Sequence, residues 1–451
     1  MFRKALSHFA FPALVLLLIS VSASADSHVR IVRLSYIEGG VQIDRNTGQF
    51  EKAIVNLPIT QGTKLRTEAD GRAEVELEDG STLRLAPSTT VQFPQLSLQD
   101  SGGKLSSVDL ATGTAYVDFS GSKNDELVLE FAGEKTVLTR AAHLRISDGE
   151  KGGQIAVFKG DVQVDGAAGA VEVKKNQTVT FDTSANEQPQ VAKNIESLPL
   201  DSWDKQQSQY HQRYGGKSYN NYSPYAYGTG DLSYYGTFFS APGYGMLWQP
   251  YFIGAGWDPF MDGAWAFSPG FGYGWVSSYP WGWTPYHYGS WVFLPGYGWA
   301  WQPGGAWMPW YSQPQLLNRP TGFRPPQAPG TIASKGSTIV TVNHGPVSGV
   351  SARSGNNVLI RNNSAGLGVP RGQVANLARA SHEVQQRGEV TQRVQPTTVA
   401  RPAPSMQGSE PSRGPASPRG GGEPRISAPA PRMSSPSPAP RMGGSGPAPH
   451  K

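Results

Sequence analysis

A chain of 451 residues is long enough for about three domains. However, 54 glycines and 37 prolines against only 16% charged residues indicate turns, aromatic segments and a tail beside the globular parts. The absence of cysteine excludes disulfides, thiolate catalysis, cysteine-ligated metals and a lipid-modified N-terminal cysteine. The net charge of +5 combines an acidic front part with a basic C-terminal segment.

Residues 1–25 have the pattern of an export signal. Arg3 and Lys4 precede an apolar run from Phe9 to Val21, and small residues around Ala25 suit signal peptidase. The run is shorter than the about 20 apolar residues that span a bilayer, and no later segment is long and apolar enough. Cleavage near Ala25 predicts a periplasmic or secreted envelope protein with no stable transmembrane segment. An uncleaved anchor is the alternative.

Residues 26–190 are predicted to form an all-β domain, and one hairpin organises it. Apolar residues alternate with glutamates in Ala73, Glu74, Val75, Glu76, Leu77 and Glu78. This period is typical of a strand with one face in the core and one in water. A three-residue loop at 78–80 would pair Val75 with Leu83 and Ala73 with Leu85, and so keep both apolar sets on one face.

Short alternating runs continue to residue 181, separated by glycine-containing turns. Strands of this length and spacing favour a β-sandwich or a solenoid-like sheet. Lys159-Gly160 reads as a second hairpin, with two loop residues, which would pair Val157 with Val162 and Ile155 with Val164.

The motifs Asp70-Gly-Arg-Ala73 and Glu78-Asp-Gly-Ser-Thr82 lie in an order that resembles the FecR domain over roughly residues 35–182. This resemblance implies a periplasmic protein-interaction or sensing fold without catalytic residues. FecR-type regulators carry a sizeable cytoplasmic segment before their membrane helix, whereas only about eight residues precede the apolar run here. Their sigma-regulating activity is therefore not expected of this chain.

Residues 191–224 are predicted to be a polar linker with a short helix at 202–213. In residues 225–311, Gly-Ala-Trp-Ala-Phe-Ser-Pro-Gly at 263–270 returns in related form at 289–296, and more loosely at 239–245. Each copy reads as strand, Pro-Gly turn, strand. A two-residue turn at Pro295-Gly296 would place Phe293 opposite Gly298 and Trp291 opposite Ala300.

Eleven of the twelve tryptophans lie in this repeat region. Its run from Pro280 to Pro303 is similar to a Trp/Tyr/Gly repeat found behind FecR domains in exported bacterial proteins, for which no activity is established. The rings either form the core of a small sheet, which we favour, or stack on sugars with Asp258 and Asp262 nearby. The candidate stacking residues are Trp281, Trp283, Tyr286, Trp291, Trp299 and Trp301.

The segment 312–394 is expected to be partly ordered. Short strands are predicted at 338–342 and 357–361, and a helix with a narrow apolar face at 373–387. Residues 395–451 are rich in Pro, Gly, Ser and Arg, and are predicted to be a disordered basic tail.

The histidines are scattered and lie beside no carboxylate motif, and no nucleophile elbow or phosphate loop is present. We therefore expect no enzyme, cofactor, metal or nucleic-acid partner. The leading hypothesis is a mainly β, non-catalytic envelope scaffold that contacts polysaccharide or a periplasmic or outer-membrane protein. The alternative is a FecR-type periplasmic sensor that lacks the sigma-regulating segment. A glycan-active enzyme is a weaker third.

Overall fold

The computed structural model describes residues 30–150, 152–167, 169–182, 188–215, 222–268, 272–309, 313–330, 338–343 and 351–394. The expected export signal and basic tail lie outside the described residues. The protein is mainly β, with 46% strand and 11% helix arranged in several sheets, which confirms the predicted fold class.

The front domain consists of two β layers that share one strand. Among the described strands, one layer has the order β3-β2-β5-β8-β9-β10-β11-β14-β15. The other has the order β4-β1-β6-β7-β9-β12-β13-β16-β17. The strands are β1 (Val32–Glu38), β2 (Val41–Asp44), β3 (Glu51–Lys52), β4 (Pro58–Ile59), β5 (Lys64–Thr67), β6 (Arg72–Glu76), β7 (Thr82–Leu85), β8 (Thr90–Leu98), β9 (Lys104–Phe119), β10 (Glu126–Phe131), β11 (Glu134–Leu138), β12 (Ala142–Gly149), β13 (Gly152–Lys159), β14 (Val162–Gly166), β15 (Gly169–Val173), β16 (Gln177–Phe181) and β17 (Gln190–Ala192).

The shared strand β9 bends from one layer into the other near Gly113. Its first part pairs with β8 and β10, and its last part pairs with β7 and β12. Gly113 has φ +96°, a conformation that favours glycine. The inward side chains of both layers, such as Ile43 and Val75, form one aliphatic core.

The first predicted hairpin is confirmed and the second is wrong. In β6–β7, Ala73 lies opposite Leu85 and Val75 opposite Leu83, and the Leu77 amide donates to the Ser81 carbonyl at 2.8 Å. By contrast β13 pairs with β12 and β16, and β14 with β11 and β15. The chain crosses between layers at Gly160, with φ +84°, so these two strands part instead of pairing.

Four helices are described: α1 (Asp201–Tyr214), α2 (Thr229–Tyr235), α3 (Thr284–His287) and α4 (Leu377–Arg387). The short helix predicted at 202–213 is confirmed by α1. The helix α4 begins four residues after the predicted start at 373. Asn376 caps it through its side chain, which accepts from the Arg379 amide at 2.9 Å.

The aromatic region and the following segment form three small sheets, with the orders β18-β19-β23-β22-β24, β21-β20-β25 and β26-β27-β28. Their rings and the apolar side of α4 share a second core, which also includes Tyr210 of α1. The strands are β18 (Gly236–Ala241), β19 (Gly245–Pro250), β20 (Asp262–Ser268), β21 (Gly272–Ser277), β22 (Ser290–Leu294), β23 (Gly298–Gln302), β24 (Gln315–Leu317), β25 (Ile339–Asn343), β26 (Ala352–Ser354), β27 (Asn357–Arg361) and β28 (Glu389–Arg393).

All three repeats are hairpins, but the predicted register of the last one is wrong by one residue. Leu294 lies opposite Gly298 and Trp291 opposite Trp301, so the loop has three residues. The Tyr297 amide donates to the Leu294 carbonyl at 3.0 Å, and Gly296 takes the left-handed conformation at φ +85°. The loop at 242–244 has the same length.

A glycine beneath a tryptophan ring recurs in each repeat. A Cβ on Gly236, Gly263 or Gly289 would collide with the indole of the tryptophan twelve positions later. The covered glycine therefore lies within one residue of the start of the first strand of each hairpin. The three glycine–tryptophan pairs are Gly236–Trp248, Gly263–Trp275 and Gly289–Trp301.

Candidate functional site

The glutamate face of the β6–β7 hairpin is buried, which corrects the prediction that it faces water. The exposed fractions are 0% for Glu74, 3% for Glu76 and 7% for Glu78. Segments later in the chain cover this face: the Gly228 amide donates to Glu76 at 3.1 Å, and α1 supplies charged partners. Buried carboxylates need such partners because desolvation opposes their charge.

Glu74 is the centre of the cluster. Its carboxylate accepts from Arg84 Nε at 2.8 Å, from Arg371 Nη1 at 2.6 Å and from the Ser35 hydroxyl at 2.7 Å. His211 Nε2 lies 3.0 Å from the same group. Burial alone would raise the pKa of Glu74, but the positive charges around it hold that pKa well below the usual range. Glu74 is therefore ionised over the range in which most proteins work.

Asp231 of α2 forms the second half of the cluster. Arg371 contacts both of its carboxylate oxygens at 3.1 Å, and Arg33 Nη1 lies 2.7 Å away. The Tyr210 hydroxyl donates to Asp231 at 2.7 Å. Burial opposes ionisation of Asp231, yet the charges of Arg371 and Arg33 lower its pKa. Arg371 thus connects the front sheet to α2.

Glu76 differs from its neighbour. It shares Arg33 with Asp231 and accepts from Arg33 Nη1 at 3.1 Å. Burial raises the pKa of the Glu76 carboxyl, and the positive charges of His211 and Arg33 only partly offset this. Folding therefore shifts the pKa values of two glutamates on one strand face in opposite directions.

The helix α1 closes the other side of the cluster through two aspartates. Asp204 accepts from Arg84 at 2.7 Å and lies 2.8 Å from His143 Nε2. Burial would raise the pKa of Asp204, but its hydrogen bond to His143 and the charge of Arg84 lower it. Asp201 pairs with Arg145 at 2.6 Å.

The arrangement is that of a structural clamp. The carboxylates of Glu74, Asp204 and Asp231 are each bound by arginine, so their oxygens are committed to fixed cations. Among the described residues no group of three His, Cys, Asp or Glu side chains could hold a metal ion. What the cluster can do is hold the front sheet, α1 and α2 in one relative position.

Sequence reasoning missed the cluster. His143 and His211 contact carboxylates of residues far away in the sequence, which no spacing of the histidines indicates. The sequence did contain a signal: Glu74 and Glu76 alternate with apolar residues, and the predicted hairpin places Arg84 opposite Glu74. Opposite charges that face each other across two strands can be buried together.

All six candidate stacking residues are buried, five of them in the second core and Trp283 against Tyr227 and His287. Their exposed fractions do not exceed 2%. The Trp281 ring stacks on Tyr279 at 4.9 Å and meets Trp248 edge-on at 4.9 Å. A ring must present a face to stack on a sugar, and these faces are occupied by other rings. Burial raises the pKa of nearby Asp262, and Asp258 accepts from the Phe260 amide.

The front and aromatic regions also meet through side-chain hydrogen bonds to backbone carbonyls. Asn56 donates to the carbonyls of Ser277 and Tyr279 at 2.9 and 2.7 Å, and Arg33 donates to the Pro280 carbonyl at 2.6 Å. No helix in the described ranges has the length and apolar composition needed to cross a bilayer.

The protein is mainly β, and segments later in the chain cover the glutamate face of the β6–β7 hairpin in the front domain. The chain carries two known domains. The FecR protein family matches residues 63–163, and a family of unknown function, DUF6600, matches residues 229–329. Both resemblances drawn from the sequence are thereby confirmed.

Two solved structures of a "putative anti-sigma factor" from Parabacteroides distasonis ATCC 8503 are similar to this chain. The identities are 15% and 14%, and in each case the match covers 31% of this chain with a TM-score of 0.27. The chain spans 63% of the length of each of these structures. No curated protein matches it.

Proposed function

We propose that this chain is a non-catalytic regulatory or sensing protein of the cell envelope that acts by binding. In this proposal the FecR domain and the DUF6600 domain work as one unit, and the partner is a periplasmic or outer-membrane protein. The FecR match supports the regulatory class. Export rests on the signal pattern of residues 1–25.

One observation carries the proposal: Glu74 of the FecR hairpin is paired with Arg371, which lies beyond the DUF6600 match and also binds Asp231 within it. Buried ion pairs tolerate little change in geometry, because an unpaired charge in the interior costs several kcal/mol, on the order of 3–5. A change in the position of one domain is therefore transmitted to the other. A regulator needs such coupling between the part that receives a signal and the part that contacts a partner.

The scaffold hypothesis, in which exposed rings contact envelope polysaccharide, has less support. Its candidate rings, Trp281 among them, are buried. The sigma-regulating activity of membrane-bound FecR regulators is not carried over.

Replacement of the chromosomal gene by variants tests the proposal. Arg371→Lys keeps the charge but loses the two-point contact with Asp231. We expect it to alter the same transcripts as deletion of the gene, while immunoblots still find the protein in the envelope fraction. The control Glu172→Gln alters a side chain that is 64% exposed and should behave as wild type. A deletion without effect on any transcript, or a wild-type chain in the cytosol, contradicts the proposal.

A further inference from the structure

A cavity of about 240 Å³ opens beside the buried cluster, between α1 and the loop at 371–373. Four glutamines, two tyrosines, two arginines and a glycine line it. It is smaller than the about 300–1,000 Å³ typical of sites for drug-sized ligands, so it suits a single small ring.

The charge of the cavity favours an anion. No carboxylate is among its described lining residues. Arg371 is committed to Glu74 and Asp231, whereas Arg213 has no carboxylate partner in the described structure and lies over the ring of Tyr214 at 5.9 Å. A ligand ammonium group would meet arginine without a compensating acid, so amino acids fit poorly.

The uncharged part of the lining favours hydroxyl groups. Each glutamine amide offers both a donor and an acceptor, which suits neighbouring hydroxyls on a ring. Gln206 is half-buried and Gln209 is exposed, while the buried Gln207 has an oxygen without a hydrogen-bond partner in the described structure. The rings of Tyr210 and Tyr214 add apolar surface for C–H groups.

We propose that this cavity binds one sugar-acid unit, with the ligand carboxylate on Arg213 and the ligand hydroxyls on the glutamine amides. Arginine binds a carboxylate through two parallel hydrogen bonds, which sets the orientation of the ring. The shared chemistry covers a free uronic acid and the end of an acidic envelope polysaccharide.

The cavity also borders the clamp. Tyr210 and Arg371 line it, and both contact Asp231 of α2. A bound sugar acid would therefore act on the residues that hold the two domains together. This consequence rests on the proposed function, whereas the binding site itself does not.

Isothermal titration of the purified exported chain tests the site, with D-galacturonate and D-glucuronate as ligands. D-galactose, which lacks the carboxylate, should bind at least roughly tenfold more weakly. Arg213→Gln should weaken galacturonate binding to the level of galactose. Lys205→Gln, at an exposed residue of α1 outside the cavity lining, should leave it unchanged.

Several results would overturn the inference. They are no heat with millimolar uronic acid, equal binding of acetate or inorganic phosphate, or galacturonate binding that survives Arg213→Gln. An oligogalacturonide distinguishes the two sources, because tighter binding than the monomer assigns the site to a polysaccharide end. The titration needs no partner and no transcription, so a failed titration leaves the regulatory proposal standing. Likewise, unchanged transcripts in the gene-replacement experiment leave the sugar-acid site standing.

Discussion

Glu74 and Arg371 lie 297 positions apart and are joined by an ion pair of 2.6 Å in which both side chains are buried. The pair links a FecR strand to the loop that precedes α4. Because Arg371 also binds Asp231, a single guanidinium connects three parts of the chain. Such a contact gives the domain arrangement a specific geometry, whatever its net contribution to stability.

Removing the charge of Glu74 should cost far more than removing that of Glu76. Glu74→Gln leaves Arg84 and Arg371 without their shared counter-charge, and we expect a loss of about 3–5 kcal/mol in the free energy of unfolding. Glu76→Gln should cost clearly less, because the raised pKa of Glu76 means that folding disfavours the charged form of this side chain. Urea unfolding of the two variants measures the difference. An equal or reversed order would contradict the opposite directions of the two pKa shifts.

Acid should weaken the clamp. The pKa values of Glu74, Asp204 and Asp231 are lower in the folded chain than in the unfolded chain. Their contribution is complete above about pH 5 and is lost as the pH falls through the unfolded values near 4 toward the folded ones. Glu76 has the opposite effect. Because its pKa is raised in the folded chain, the contribution of Glu76 to stability declines as the pH rises.

Urea unfolding from neutral to acidic pH measures this acid limb. Asp204→Asn removes one lowered pKa and should make the decline shallower, while the exposed Glu172→Gln should leave its slope unchanged. A wild-type stability that stays constant below about pH 5 is incompatible with the prediction.

The register of residues 73–85 could be predicted because a period of two and a glycine-containing loop determine it locally. Burial of the glutamate face could not, because groups that bind Glu74 and Glu76 there come from residues 211, 228 and 371, far along the chain. The polar sequence of α1 suggested a linker for the same reason: its aspartates face arginines that only the fold brings near.

The Pro-Gly turns show a second limit. A two-residue loop at Pro295-Gly296 is locally acceptable, but the three-residue loop places Trp301 over Gly289 and opposite Trp291. That packing involves rings from several strands, so the choice of loop is decided by the aromatic core.

The covered glycines predict a sharp response to one added methyl group. A Cβ on Gly263 would collide with the Trp275 ring, so Gly263→Ala should lower stability by about 1–3 kcal/mol. Gly256→Ala is the matched control, since nothing lies within 4 Å of a Cβ there. Thermal unfolding monitored by tryptophan fluorescence compares them. If both variants unfold at the same temperature, the ring does not cover the glycine.

His287 provides a separate test of burial in the aromatic core. Burial, helped by the charge of Arg33, lowers the pKa of His287 to about 3. The unfolded chain takes up this proton near pH 6.5, so the contribution of His287 is complete above about pH 6.5 and declines as the pH falls toward the folded value. His287→Phe retains a ring against Trp283 and removes the group that takes up the proton. Between pH 7 and pH 5 the variant should therefore lose about 2 kcal/mol less than wild type in urea unfolding. Parallel pH profiles for the two proteins would mean that His287 is accessible to protons in the folded chain.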